Sequence, residues 1–156
     1  MNHQRRQVLK GAGAAGAVGV AMAAGLLKPT AVYAQSWNQA GFEARNLADV
    51  LKAIGGTGAA ESAQITVKAP DIAENGAVVP VEITSAIPGT ESIAIVGEKN
   101  NLPLVAQFDL MGGAEGFVST RIKLGSTSNV RAVVKAGGKM YTAAKEVKVT
   151  IGGCGG

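Results

Sequence analysis

The chain has 156 residues and a formal charge of +4, with 15 lysines and arginines against 11 aspartates and glutamates. That length holds one domain with a tail, not two sizeable cores. Four of the positive charges (Arg5, Arg6, Lys10 and Lys28) precede the first acidic residue, Glu43, so residues 35–156 carry 11 charges of each sign and are formally neutral. The only histidine is His3 and the only cysteine is Cys154, which excludes a Ser-His-Asp or Cys-His nucleophile system and a His-ligated metal site built within residues 35–156. No basic block survives beyond the first segment, so there is no electrostatic case for nucleic acid.

Residues 1–34 read as an address. Arg5-Arg6-Gln7-Val8-Leu9-Lys10 is followed by a Gly/Ala-rich apolar run over residues 11–27, and Ala31-Val32-Tyr33-Ala34 offers the small residues that a signal peptidase accepts. The paired arginines make this a twin-arginine export signal, with cleavage expected after Ala34 and the periplasm as destination. The competing reading is a membrane anchor. The run is weakly apolar and at the short limit for crossing a bilayer, so no stable membrane span is expected. The twin-arginine route exports folded cargo. A small chain without a cofactor motif on that route is expected to leave the cell interior with a bound partner.

Residues 35–58 are expected to form an N-terminal helix and linker. Leu47, Val50, Leu51 and Ile54 fall at helical spacing, with Ala40, Phe42, Ala44 and Ala48 extending the same face, so the pattern predicts one helix over residues 37–54. Gly55-Gly56 supplies the stop.

From residue 59 to 151 the period changes to two. Gln64-Ile65-Thr66-Val67-Lys68 and Val79-Pro80-Val81-Glu82-Ile83-Thr84 alternate, and further strands are expected over 92–96, 104–110, 117–124, 129–136 and 140–151. Turn signals at Asn75-Gly76, Pro88-Gly89, Lys99-Asn100-Asn101, Gly112-Gly113, Gly125-Ser126 and Gly137-Gly138 separate them. The pattern is mainly β and predicts an immunoglobulin-like antiparallel β-sandwich, with a partly closed barrel as the alternative. Few aromatics are present, so the core should be mostly Val, Ile, Leu and Ala. Glu74, Glu98, Glu115 and Glu146 read as solvated surface groups, and Met111 and Met140 as core or surface residues.

The chemistry is concentrated in residues 152–156, Gly152-Gly153-Cys154-Gly155-Gly156. The strand pattern ends at Ile151, and the segment from Gly152 onward has no side chains to pack. Three residues carry the thiol about 10 Å beyond the last strand. Glycine loses the most backbone freedom on ordering, so a mobile carrier arm is expected, thin enough for a narrow channel. No basic side chain lies nearer in sequence than Lys148. The thiol is therefore ordinary, with a pKa near about 8.5 and only a few per cent thiolate at neutral pH. Such a thiol suits covalent delivery of a group to other proteins and not catalysis. A buried structural cysteine would sit in an apolar segment, and metal binding would need several chains. A ubiquitin-like terminal thiocarboxylate belongs to the cytoplasm. The alternative that stays open is an exported β-sandwich serving as a binding or structural module, tethered by an intermolecular disulfide through Cys154.

This ending on an exported β-rich domain resembles the SoxY family of sulfur carriers. The resemblance runs along the chain through Arg5-Arg6, Ala69-Pro70-Asp71-Ile72-Ala73-Glu74-Asn75-Gly76, Val79-Pro80-Val81, Glu98-Lys99-Asn100, Pro103-Leu104, Ser119-Thr120-Arg121-Ile122-Lys123 and Val147-Lys148-Val149-Thr150-Ile151. Asn101 departs from it, standing where the family pattern places a proline. The resemblance implies a covalent sulfur carrier that is not itself an enzyme and has no cofactor beyond sulfur held on Cys154. It implies a SoxZ-like partner in a heterodimer. A SoxXA-like haem enzyme would join thiosulfate to Cys154, and a SoxB-like dimanganese hydrolase would release sulfate. A sulfane dehydrogenase, in systems that contain one, would oxidise the remaining sulfur.

Overall fold

A computed structural model of the protein describes residues 37–150. The helical segment is divided in two. Helix α1 spans Gln39–Glu43 and α2 spans Leu47–Ala53. Ala44 is extended (φ −60°, ψ 139°), and Asn46, also extended, caps α2 by accepting the Asp49 amide hydrogen at 2.9 Å. Asn38 caps α1 in the same way through Gly41. The expected single helix thus gives way to two short ones, because Asn46 competes for the backbone and offers a second start. Gly55 ends α2 with φ 72°, as its position implied.

Nine strands follow: β1 (Ala60–Glu61), β2 (Ile65–Lys68), β3 (Ile72–Ala73), β4 (Val79–Ser85), β5 (Thr90–Gly97), β6 (Leu104–Asp109), β7 (Phe117–Ile122), β8 (Ser128–Ala136) and β9 (Lys139–Val149). Strands β2, β4 and β7 form one antiparallel sheet. The other has the order β1-β9-β8-β5-β6, with β3 pairing β9 beyond β1. The two form a β-sandwich, which decides between the two architectures that the alternation left open. All seven strands expected from alternation are present. The two-residue strands β1 and β3, which run parallel to β9, are too short to carry a periodic signal.

The core between the sheets is aliphatic. Ile83, Val81 and Val79 of β4 meet Ile93 and Ile95 of β5, Val130, Ala132 and Val134 of β8, and Val147 of β9. A second cluster lies on the outer face of the larger sheet, where Val50, Ala44, Leu47 and Leu51 cover Ala94, Val96, Leu104 and Val133. Strands β5 and β8 are therefore covered on both faces, which is why 93–96 and 132–134 read as unbroken apolar runs. Strand β4 has one open face and keeps a strict alternation, with Pro80, Glu82 and Thr84 outward.

Candidate functional site

The residues that the sequence assigns to chemistry and transport all lie outside the described residues. These are Cys154 with Gly152, Gly153, Gly155 and Gly156, and Arg5, Arg6 and Ala34 of the signal. The structure describes the platform from which residues 151–156 depart. Strand β9 is held along its length on one side by β8, from Ala136↔Lys139 to Ser128↔Val147. On its other side β1 meets Tyr141 and Thr142, and β3 meets Lys148 and Val149. Between these contacts Lys145 donates to the Ala69 carbonyl at 2.6 Å and pairs with Asp71 at 2.9 Å. The Lys145 ammonium holds the exposed Asp71 carboxyl below its usual pKa.

The last described turn of backbone is tied on two sides. The Val149 amide donates to the Thr127 hydroxyl at 3.0 Å. The Thr150 amide donates to the Ala73 carbonyl at 3.1 Å, and the Thr150 hydroxyl to the Glu74 carbonyl at 3.2 Å. Thr127 belongs to the segment joining β7 to β8, so that segment flanks the root of the tail. Leu124 of the same segment is fully buried, and its amide donates to the Gly76 carbonyl at 2.7 Å.

The β5–β6 turn stands against this segment. Asn100 acts as a clamp: its Nδ2 donates to the Lys123 carbonyl at 2.7 Å, and its Oδ1 accepts the Gly125 amide hydrogen at 3.0 Å. Gly97 makes the approach possible, since a Cβ there would lie 2.9 Å from Asn100 Nδ2 and 3.0 Å from Leu124 Cδ2. The result is an open concavity of about 650 Å³, lined by Lys99, Asn100, Asn101, Lys123, Gly125 and Ser126 together with apolar Leu102 and Val105. The position that departs from the family pattern, Asn101, is exposed on this rim.

Two expectations about side chains are sharpened. Glu98 is not a solvated surface group. Its carboxylate receives Arg131 Nε at 2.7 Å and Asn129 Nδ2 at 3.1 Å, and the two charged side chains are only 18% and 21% exposed. Arg131 reaches on to the Thr142 hydroxyl at 3.2 Å, which itself donates to the Ala132 carbonyl. Met140 packs beneath the helices, whereas Met111 is exposed. Among the described residues, the ion pairs Lys68–Glu82 and Lys135–Glu91 lie on the surface. Among the described residues no cluster of His, Cys, Asp or Glu is arranged to hold a metal ion. No helix among them is long and apolar enough to cross a membrane.

Sequence patterning did not single out Thr127 or Asn100, whose side chains tie the loops together beside the end of β9. They sit in turns, where hydrogen bonding to distant backbone decides their role and no periodicity marks it.

Residues 51–154 match the family model of the sulfur oxidation protein SoxY, a span that ends on Cys154. No curated protein is matched by the sequence. Among solved structures, that of the sulfur carrier protein SoxY from Chlorobium limicola f thiosulfatophilum is similar, with 45% identity and a TM-score of 0.61. The similarity covers 68% of this chain and 97% of that one. A superoxide reductase (neelaredoxin) from Ignicoccus hospitalis aligns loosely, at 18% identity and a TM-score of 0.46 over 55% of this chain and 80% of its own. With two thirds of its length in the family model, and nearly half its residues shared with a solved member over the sandwich, the chain belongs to the SoxY family.

Proposed function

We propose that this protein is a periplasmic carrier that holds thiosulfate-derived sulfur covalently on Cys154 and presents it to the enzymes of thiosulfate oxidation. As a SoxY protein it is a sulfur carrier and not a catalytic enzyme. The observation that carries the reading is the family match, which runs to Cys154, a single thiol set between glycine pairs. The Arg5-Arg6 signal, cleaved after Ala34, would deliver the chain folded and in company with a SoxZ-like subunit.

The chemistry asked of Cys154 is that of an anchor and leaving group. A SoxXA-like haem enzyme would remove two electrons as the Cys154 sulfur and the outer sulfur of thiosulfate join, leaving a cysteine S-thiosulfonate. A SoxB-like dimanganese hydrolase would add water and release sulfate. A sulfane dehydrogenase would oxidise the sulfur that remains, and hydrolysis would regenerate the thiol. A sulfur–sulfur bond forms oxidatively and breaks by exchange, so it suits repeated loading. A flexible tether keeps the intermediate at about millimolar effective concentration near its enzymes.

The test is the intact mass of the exported protein before and after a reductant, in wild type and in Cys154→Ser. Reductant-labile sulfur or thiosulfonate adducts on wild type alone, with thiosulfate turnover lost in Cys154→Ser, are expected. A Cys154→Ser protein that still supports turnover would overturn the carrier role. A disulfide-linked dimer without adducts would favour the tethered module.

A further inference from the structure

Of the four methionines, Met111 and Met140 lie among the described residues, and the fold treats their sulfurs oppositely. Both stand at one end of the larger sheet. A row of paired residues crosses it there, from Asp109 of β6 through Ser92 of β5 and Lys135 of β8 to Met140 of β9. Met140 packs beneath the helices, against the cluster that contains Val50 and Val133. Met111 comes two residues after Asp109. Phe108 and Leu110 pack against the core between the sheets, so alternation sends Asp109 and Met111 outward.

Met111 is 81% exposed, and the chain that follows does not cover it. Gly112 and Gly113 bring no side chain, and a Cβ at either would meet nothing within 4 Å. Gly113, with φ 90°, turns the backbone away, and the Ala114 amide closes the turn by donating to the Met111 carbonyl at 2.9 Å. With Ile87 and Leu110, Met111 lines an open recess of about 560 Å³. The root of the tail is at the other end of the sheet. The β8–β9 pairing, from Ala136↔Lys139 to Ser128↔Val147, puts about 25 Å between the two ends.

We propose that Met111 is a sulfoxidation site for peroxide-class oxidants, selected over Met140 by the fold and insulated from the root of the tail. A thioether needs no deprotonation to react, so access to the sulfur decides which methionine is attacked. With hydrogen peroxide, a lone pair of the Met111 sulfur forms a bond to one peroxide oxygen as the oxygen–oxygen bond breaks. The second oxygen leaves with that bond's electron pair and, with both hydrogens, becomes water. Sulfur is oxidised by two electrons and peroxide is reduced by two. The product is a polar, chiral sulfoxide on the wall of a recess that was apolar at that point.

The test treats the full exported chain, wild type and Cys154→Ser, with hydrogen peroxide. Peptide mapping by mass reads the sulfoxide at each methionine separately. Met111 should gain oxygen at least about tenfold faster than Met140 in both proteins. In denaturant the two rates should become equal, and Met111→Leu should remove the fast phase from the folded protein. The substitution falls on an exposed turn, so the variant keeps the fold. In Cys154→Ser, where no thiol competes, oxidation should shift the backbone amides of residues 87–91 and 110–114 and leave those of Val149 and Thr150 in place. Met140 oxidised as fast as Met111 in the folded protein overturns the proposal. A rate gap that survives in denaturant also overturns it, because local sequence and not the fold would then set the selectivity. Shifts at Val149 and Thr150 overturn the insulation of the tail root. None of these readings uses a partner enzyme or thiosulfate, so the carrier function stands or falls separately.

Discussion

The Thr127 hydroxyl accepts the Val149 amide hydrogen at 3.0 Å, binding the loop before β8 to the last residue of β9. Thr127→Val keeps the shape and removes the acceptor, leaving a half-buried amide without a partner. A loss of about 1 kcal/mol is expected, read by chemical denaturation. Hydrogen exchange at Val149 and Thr150 should quicken more than exchange in β5.

The Glu98–Arg131 pair is enclosed enough to matter, unlike the surface pairs. Removing one partner leaves a charge with little water and poor hydrogen bonding. Arg131→Met and Glu98→Gln should each cost about 1–3 kcal/mol. The double variant should cost less than the sum, and a denaturation cycle measures the difference. Additive losses would show that the two side chains act independently.

These two relationships mark the limit of what the sequence made legible. Alternation found seven strands because each either has one open face, like β4, or is long enough to be bounded by turn signals, like β5 and β8. The apolar face of Leu47, Val50, Leu51 and Ile54 correctly announced a covering helix, but the Asn46 cap that splits it is a competition between side chain and backbone, which spacing does not reveal. Strands β1 and β3, the Asn100 clamp and the Thr127 anchor depend on contacts 20 or more residues apart in sequence. The thiol and its glycines lie outside the described residues, and in the sequence they stand out because no periodic pattern runs through them.

Gly116 lies where β7 begins, and a Cβ there would stand 2.6 Å from the Ser85 carbonyl oxygen. That oxygen is backbone and has no rotamer in which to retreat. Gly116→Ala should therefore cost about 1–3 kcal/mol, measured as a shift in denaturation midpoint. Gly113→Asn, at a turn with open space around it, should change stability far less.

Asp71 titrates below its usual range because of hydrogen bonding and charge from Lys145. Its folded pKa is lower than its unfolded one, so the contribution is complete above about pH 4 and is lost as pH falls through the folded value. Glu91, hydrogen-bonded to Lys135 and the Gly138 amide, behaves alike, and Lys135 is raised by Glu91, so its share is lost only as strongly alkaline pH is approached. Both sites are exposed, so the effects are small. In Asp71→Asn the acid limb of the stability curve should be shallower, and carboxyl NMR titration of wild type should place Asp71 below ordinary aspartates.

Replacing Gly153 or Gly155 with leucine should slow transfer of sulfur to partner enzymes while leaving thiol content and stability unchanged. Turnover equal to wild type would remove the requirement for a thin arm.

Strand β9 leads directly to the tail and is hydrogen-bonded to β8 along one side and to β1 and β3 on the other. Its bonds lie across the strand, so a pull along the strand axis loads many of them together and does not open them in turn. The geometry is that of a shear anchor. A pull on the chain beyond Val149 therefore works against the β8, β1 and β3 pairings together, and β9 resists being peeled from the sandwich one bond at a time.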